Sequence, residues 1–320
     1  MTDRALSPRL AIPTVVLYAA GYPIGAMTVA VMSPFLVILL RFASSALLLW
    51  LIVAARRTSR PGWRLAGHAM AAGLLTQGVQ FLALYWGLAH GVPSGIASLV
   101  IALNPVVTAT LMALALGHKE SKQGMFALAL ATGAVVLACA PKIAVDHRIG
   151  PGIVTVVVAM LGLSIGGVYQ GRYCRNLDPW LVTALGLTAS TPLAALLAVL
   201  TPAKCADWPR AAALLAVMVA FSSIGATTLY SACIKRSGPR AASILFAVIP
   251  AVASLMAWAV LGENLSALSI GGLALGAAAC IMQARAAGQR DRDKTPVENR
   301  QAEQTSPARD NDCLPDGAHL

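Results

Sequence analysis

Long apolar segments alternate with short polar ones along most of the 320-residue chain. A helix needs roughly 20 consecutive apolar residues to cross the hydrocarbon layer of a bilayer, so each segment of that length predicts one span. Ten segments meet this requirement: 11–31, 33–54, 66–89, 93–116, 123–141, 150–170, 180–200, 210–231, 240–261 and 266–284. The pattern therefore predicts an all-α integral membrane protein with ten transmembrane helices.

Composition and charge agree with a membrane protein and predict its orientation. Charged residues make up 12% of the chain, against roughly 25% in soluble domains, so they cannot cover a globular surface. The net charge of +11 comes mainly from Lys and Arg between the apolar segments, which indicates a topology signal rather than nucleic-acid binding. Clusters such as Arg56-Arg57 face the cytoplasm if residues 1–10 are cytoplasmic. Both termini are then cytoplasmic, including the polar segment 285–320, which we expect to be disordered.

The two halves of the chain are related by an internal repeat. Pro34-Phe-Leu-Val recurs as Pro179-Trp-Leu-Val, a separation of 145 positions (179 − 34). The two copies and the loop that joins them occupy residues 11–141, 150–284 and 142–149 respectively. Each copy holds five predicted spans, an odd number, so the second copy must enter the bilayer from the opposite side. Inverted repeats are typical of secondary transporters, in which the two halves exchange roles during alternating access.

Three stretches of the sequence resemble the drug/metabolite transporter superfamily, specifically its ten-helix branch with two EamA-type halves. They are Ser33-Pro34-Phe-Leu-Val-Ile-Leu-Leu-Arg41-Phe42, Ala97-Ser98-Leu-Val-Ile-Ala-Leu-Asn104-Pro105, and the segment from Pro250 to Leu261-Gly262-Glu263. The resemblance covers roughly residues 11–284. It implies export or exchange of a small metabolite across the bacterial inner membrane through a central cavity, without a cofactor. It does not supply the substrate.

Two other classes of protein are weighed against a transporter. A membrane-embedded enzyme is disfavoured because the sequence has no HExxH or GxSxG motif, no paired intramembrane carboxylates and no Cys/His set that could bind a metal. A non-transporting scaffold or regulatory protein stays open. The expected partners are a small-molecule solute and the lipid bilayer. Small-residue faces on the fifth and tenth spans leave a homodimer open as well.

Arg41 is the candidate residue with the clearest physical argument. A charged side chain inside a bilayer costs about 2.5–3.5 kcal/mol, so Arg41 should face the bundle interior and find a partner there. No Asp or Glu occurs in any predicted span. The partner must therefore be backbone carbonyls, polar side chains, water or an anionic group of the solute, and both a structural and a substrate-binding role stay open. The missing acid also disfavours proton-coupled export of lipophilic cations.

Other polar residues within the spans outline a possible solute path. Together with Arg41, the candidate substrate-binding residues are Gln77, Gln80, Tyr85, Asn104, Thr108, Ser223, Thr227 and Tyr230. They suit an amino-acid-like or other polar or anionic solute. The alternative is that they only hydrogen-bond neighbouring helices to each other. Pro105 and Pro250 lie mid-span at matching positions of the two copies, where proline predicts either a hinge or a fixed bend.

Overall fold

The computed structural model describes residues 6–59, 61–90, 92, 94–116 and 152–261, with isolated positions at 125, 126, 129, 130, 133, 271 and 275. The predicted fifth and tenth spans, the connecting loop and the C-terminal tail lie almost wholly outside these residues. Within the described part, the chain consists of helices and their connections. An isolated antiparallel bridge joins Met32 to Cys205.

Eleven helices and two π-helical segments follow one another in the described residues. They are α1 (Pro8–Val29), α2 (Pro34–Ala55), α3 (Trp63–Gly73), π1 (Leu74–Val79), α4 (Gln80–Ala89), α5 (Ser94–Ala102), α6 (Asn104–Leu116), α7 (Gly152–Tyr173), α8 (Pro179–Leu200), α9 (Trp208–Met218), π2 (Val219–Ala226), α10 (Thr227–Ser243) and α11 (Leu245–Leu261). Five continuous helices there are long and apolar enough to cross a membrane: α1, α2, α7, α8 and the run from Trp208 to Ser243. The all-helical fold is confirmed, and the count of ten spans stays a prediction.

Helix starts recur at the spacing that the sequence repeat predicts. Helices α2 and α8 are both 22 residues long and begin at Pro34 and Pro179, whose fixed φ suits the first helical position. Before α8, the Asp178 carboxylate accepts a hydrogen bond from the Trp180 N–H at 2.8 Å and so caps the helix. Helices α3 and α9 are both 11 residues long, and each runs directly into a π-helical segment. The repeat is therefore present in the fold as well as in the sequence.

Helices α2 and α8 pack against each other in antiparallel directions. At one end, the Ser33 N–H donates to the Lys204 carbonyl at 2.8 Å, just before α2 and just after α8. At the other end, the Arg56 guanidinium lies 5.6 Å from the centroid of the Trp180 ring. Two equivalent helices of a repeat that run in opposite directions are what an inverted repeat requires.

The first helix of each half packs against the fourth helical stretch of the other half. Helix α1 contacts α11 and π2, and α7 contacts α5, α6 and π1. The two halves are thus interlocked by reciprocal contacts rather than placed side by side. The interface between them runs through the middle of the molecule.

The interior is more polar and the outside more apolar than in a soluble protein. Leu47 and Val199 are 63% and 83% exposed, whereas Thr14, Ser45 and Ser190 are fully buried. Exposed leucine and valine on helix faces suit contact with lipid chains, and buried hydroxyls can bond backbone carbonyls inside the bundle. This distribution supports a bundle embedded in a bilayer.

Two glycines make a very close contact between the two halves. Gly73 at the end of α3 faces Gly186 in α8, and a Cβ atom on Gly73 would overlap the Gly186 Cα. Only glycine allows two helix backbones to come so near. The glycine faces predicted on the fifth and tenth spans fall almost wholly outside the described residues, so this contact is a different one.

Candidate functional site

A cavity of about 280 Å³ lies between the two halves, near the middle of α2. Its walls come from α1, α2, α4, α5, π2 and α11. The lining residues are Tyr18, Gly21, Tyr22, Gly25, Val29, Arg41, Gln80, Phe81, Leu84, Tyr85, Leu88, Val92, Ala97, Ser222 and Phe246. Arg41 is the one charged residue among them. This volume is below the 300–1,000 Å³ typical of drug-sized ligands, so it suits a small metabolite.

The Arg41 guanidinium is held by hydroxyl groups and an aromatic ring. Its Nε donates to the Ser223 Oγ, and its Nη2 donates to the Ser222 Oγ at 3.0 Å. Its Cζ lies 4.2 Å from the centroid of the Phe81 ring, close enough for a cation–π interaction. Tyr85 also interacts with the guanidinium. Arg41 is only 1% exposed, so these neighbours replace most of its water.

None of these neighbours of Arg41 carries a negative charge. The acids among the described residues are Asp178 and Asp207, and each caps a helix away from the cavity. A guanidinium has five N–H donors, more than the neighbours described above accept. Arg41 therefore borders the cavity with a positive charge that no carboxylate among the described residues compensates.

The π-helical geometry of π2 explains how two adjacent serines reach the same side chain. In an α-helix, consecutive residues point about 100° apart, but a π-helical segment widens the turn and changes which side chains share a face. The Thr227 hydroxyl bonds the Ser223 carbonyl and so caps the loosened turn. Ser223 thus affects the cavity by binding Arg41. Thr227 does so less directly, by binding the backbone carbonyl of Ser223.

The remainder of the cavity wall is apolar and aromatic. Tyr18 and Phe246 pack with ring centroids 5.1 Å apart and an interplanar angle of 63°. Gln80 is an exception in this wall, because its Oε1 finds no hydrogen-bond partner among the described residues although the side chain is only 3% exposed. An unpaired buried acceptor is costly, and a ligand group that donates a hydrogen bond would remove that cost.

A second polar cluster lies outside the cavity lining. Asn104 accepts hydrogen bonds at its Oδ1 from the Thr108 hydroxyl at 2.7 Å and from the Ser164 hydroxyl at 3.0 Å. Tyr230 also interacts with Asn104. The amide Nδ2 of Asn104 has no partner among the described residues. The cluster joins α6 to α7 and α10, across the interface between the halves.

The structure separates the residues predicted from the sequence into two groups. Arg41, Gln80 and Tyr85 line the cavity, with Ser223 and Thr227 directly behind Arg41. Asn104, Thr108 and Tyr230 belong to the second cluster, and Gln77 is buried on π1 without lining the cavity. Sequence reasoning missed Tyr18, Tyr22, Phe81, Ser222 and Phe246. Tyr18 and Tyr22 are four residues apart and therefore share a helix face, a pattern from which the sequence could have predicted these two.

The two predicted hinge prolines lie in different surroundings. The helix is interrupted at Leu103, so Pro105 is the second residue of α6. Pro250 instead lies inside α11. The irregular backbone in that half comes earlier, at Gly238, where a φ of 84° interrupts α10. A helix break also occurs at Ile244, directly before α11, and a hinge role for either proline stays a prediction.

The cavity lies toward one end of the bundle, and a close contact between α7 and α10 lies toward the other. The cavity extends to Val29, Leu88 and Val92, at or just beyond the C-terminal ends of α1 and α4. At the opposite end, Gly171 of α7 packs so closely on Pro239 that a Cβ on the glycine would lie 2.7 Å from the Pro239 Cδ. The cavity is thus asymmetric along the bundle.

A family model matches the chain twice, over residues 9–140 and 150–284, and its description is EamA-like transporter family. The chain belongs to the EamA-like transporter family. The two matches coincide with the two copies of the internal repeat, and the match supports a multi-pass membrane transporter. This EamA-like chain also resembles a protein of known crystal structure with a TM-score of 0.70 and 18% identity, covering 86% of this chain and 95% of the other. That likeness concerns the fold alone. A search of curated proteins gave no match.

Proposed function

We propose that this EamA-like transporter is an inner-membrane secondary carrier that exports or exchanges a small polar or anionic metabolite by alternating access. In this proposal ten spans form two inverted five-helix repeats. The antiparallel packing of α2 on α8 and the reciprocal contacts of α1 and α7 support the inverted arrangement. Both termini would then be cytoplasmic.

The observation that supports the proposal most strongly is the positive charge of Arg41 beside the cavity, with no carboxylate among its described neighbours. A structural arginine in a membrane protein would be expected to pair with a carboxylate or with backbone carbonyls. The hydrogen bonds described above instead run to side-chain hydroxyls, and the guanidinium borders empty space. An anionic group of a solute would complete this environment.

Each candidate residue has a specific role in this carrier. Arg41 binds the anionic group, Gln80 and Tyr85 complete the polar contacts of the cavity, and Ser223 with Thr227 holds Arg41 in place. The Asn104 cluster, with Thr108 and Tyr230, and the buried Gln77 line the onward path once the Gly171–Pro239 contact opens. Pro105 and Pro250 let the fourth helix of each half flex during that opening.

In this proposal the conformation corresponds to the outward-facing state of the cycle. The extension of the cavity to the ends of α1 and α4, which basic residues predict to be periplasmic, and the close Gly171–Pro239 contact toward the opposite end support it. Separation of α7 from α10 at this contact would open the cavity to the cytoplasm.

Counterflow in proteoliposomes tests the function. Vesicles loaded with unlabelled amino acids and monocarboxylates should accumulate the same labelled solute saturably, and Arg41→Gln should abolish this while Arg64→Gln, an exposed control, should not. No accumulation in the unsubstituted protein would favour a scaffold, and chemical conversion of a solute would favour an enzyme.

Sided thiol labelling tests the inverted topology separately. His118→Cys should react only from the cytoplasm and Glu263→Cys only from the periplasm, because the two positions are equivalent in the two repeats. Reaction of both from the same side would contradict inverted repeats.

A further inference from the structure

We infer that the cavity selects amphipathic monoanions, namely a carboxylate on an apolar body with a neutral hydrogen-bond donor, over the matching zwitterions and cations. The inference concerns binding at the Arg41 cavity. That the bound molecule is also carried across the membrane rests on the proposed function.

The first argument is the balance of charge at Arg41. The guanidinium is almost fully buried, and no predicted span supplies an Asp or Glu. A bound monoanion forms a neutral pair with it, whereas a zwitterion leaves one net positive charge and a cation leaves two. Buried net charge is strongly penalised in a low-dielectric interior, so the neutral pair should be preferred.

The second argument is the apolar wall that faces the charge. Beyond Arg41 the cavity is bordered by the rings of Tyr18, Tyr22 and Phe246 and by the side chains of Leu84 and Leu88. These groups provide few hydrogen-bond partners for a multiply charged or fully polar solute, but they can pack against a flat apolar group. One face of Phe81 is already taken by the guanidinium at 4.2 Å, which leaves the other rings for the ligand.

The third argument is the unpaired oxygen of Gln80. Gln80 lines the cavity, and its Oε1 is a neutral acceptor that is itself buried and has no partner among the described residues, so a ligand donor would reach it after a rotation of the side-chain amide. A neutral acceptor can satisfy one hydroxyl or amide N–H, but it does not cancel the charge of an ammonium group. It therefore suits a donor such as the hydroxyl of a 2-hydroxy acid rather than the ammonium of an amino acid.

Four ligands with the same phenyl body test the inference in nanodiscs that contain the full chain. They are L-phenyllactate, 3-phenylpropionate, L-phenylalanine and L-phenylalaninamide, and saturable binding of each is measured by calorimetry. Phenyllactate should bind at least about tenfold more tightly than phenylalanine, and phenylalaninamide should not bind. The missing hydroxyl should weaken phenylpropionate about two- to tenfold relative to phenyllactate.

Two substitutions assign the selectivity to the cavity. Arg41→Gln should abolish phenyllactate binding, whereas the exposed Arg64→Gln should retain it. Gln80→Glu places a carboxylate in the wall, so it should weaken phenyllactate and bring phenylalanine to equal or tighter binding. This reversal also excludes loss of folding as the cause, because an unfolded variant would lose affinity for both ligands.

The outcomes separate the inference from the proposed function. Equal or tighter binding of phenylalanine, binding that survives Arg41→Gln, or no saturable phenyllactate binding at millimolar concentration would each overturn the selectivity. Arg41-dependent phenyllactate binding without counterflow of labelled phenyllactate would leave the selectivity in place and contradict transport. Counterflow of another solute without phenyllactate binding would support transport and overturn the selectivity.

Discussion

Equivalent positions of the two repeats have opposite surroundings at Arg41 and Gly186. Arg41 in α2 holds its neighbours apart around a cavity, with its guanidinium on Ser222, Ser223 and Phe81. Gly186 occupies the same place in α8, and there the backbone of α3 packs directly against it through Gly73. A cavity borders α2 at this position, whereas the equivalent position of α8 is filled by helix packing.

The two halves therefore differ at this pair of positions: one places a charge beside a cavity, and the other makes a close backbone contact. A second arginine at position 186 would have no room beside α3, and it would add a second uncompensated charge within a predicted span. Glycine at position 186 allows tight helix contact, while arginine at position 41 places a positive charge beside the cavity. A fold with repeated backbone geometry can thus hold a site with a single charge.

Gly73→Ala should have the largest effect, because the contact between α3 and α8 has no space for one methyl group. The new Cβ would overlap the backbone of α8, so the helices must separate. We expect a loss of about 3 kcal/mol or more in the free energy of unfolding, measured in detergent by denaturant titration. Gly67→Ala is the matched control, since nothing lies within 4 Å of the added atom. Equal stability of the two variants would contradict the described contact.

Arg41→Gln should lower solute affinity by at least about 30-fold, since loss of one partner of a buried charge pair costs at least about 2 kcal/mol. It should leave the unfolding free energy unchanged or raised, because a buried uncompensated charge is removed. Binding and denaturant titrations on the same preparation measure both. A variant that is strongly destabilised would instead assign Arg41 a structural role.

Gly171→Ala tests the Gly171–Pro239 contact. The added methyl group would lie 2.7 Å from Pro239, so it should favour separation of α7 from α10. Cys174 follows α7 and is buried, and burial raises the pKa of its thiol to about 11, so it should react slowly near neutral pH. The rate of maleimide labelling of Cys174 should rise about fivefold. This corresponds to a shift of roughly 1 kcal/mol in the equilibrium between the packed and the separated arrangements of α7 and α10.

Unchanged labelling of Cys174 in Gly171→Ala would mean that this contact does not close the cavity. The Gly67→Ala variant again serves as the control, because its methyl group meets no neighbour.

Ser222→Ala, beside the cavity, should have the smallest effect. It removes one of the hydroxyls that orient Arg41, at 3.0 Å from Nη2, and leaves the charge in place. We expect a loss of about 1 kcal/mol, roughly fivefold, in solute affinity. Ser44→Ala is a suitable control, because that hydroxyl bonds the carbonyl of its own helix at 2.6 Å. Equal affinities for the two variants would show that Ser222 does not position Arg41.

The sequence predicted most of the architecture but only part of the site. Hydropathy and the constant offset from Pro34 to Pro179 predicted the helices and the repeat, because these patterns follow from bilayer thickness and gene duplication. The Arg41 argument also needed only the sequence, because charge in a membrane is costly wherever it lies. The partners of Arg41 could not be predicted in full, since Ser222 reaches it only through the π-helical turn of π2.

The contact between Gly73 and Gly186 likewise could not be predicted from the sequence. Glycines are frequent in this chain, and their pattern along one helix does not say which helix lies opposite. The same holds for Phe246, which faces the cavity although it is distant in sequence from the other lining rings. Contacts between the halves depend on the bundle geometry rather than on local periodicity.

A crystal structure with a brominated L-phenyllactate would test the central claim most directly, because anomalous scattering locates the bromine. We expect the carboxylate at hydrogen-bond distance from Arg41, about 2.7–2.9 Å, and the bromine against the packed pair of rings of Tyr18 and Phe246 at the cavity wall. A ligand bound elsewhere, with the Arg41 cavity empty or filled by a protein carboxylate, would contradict it.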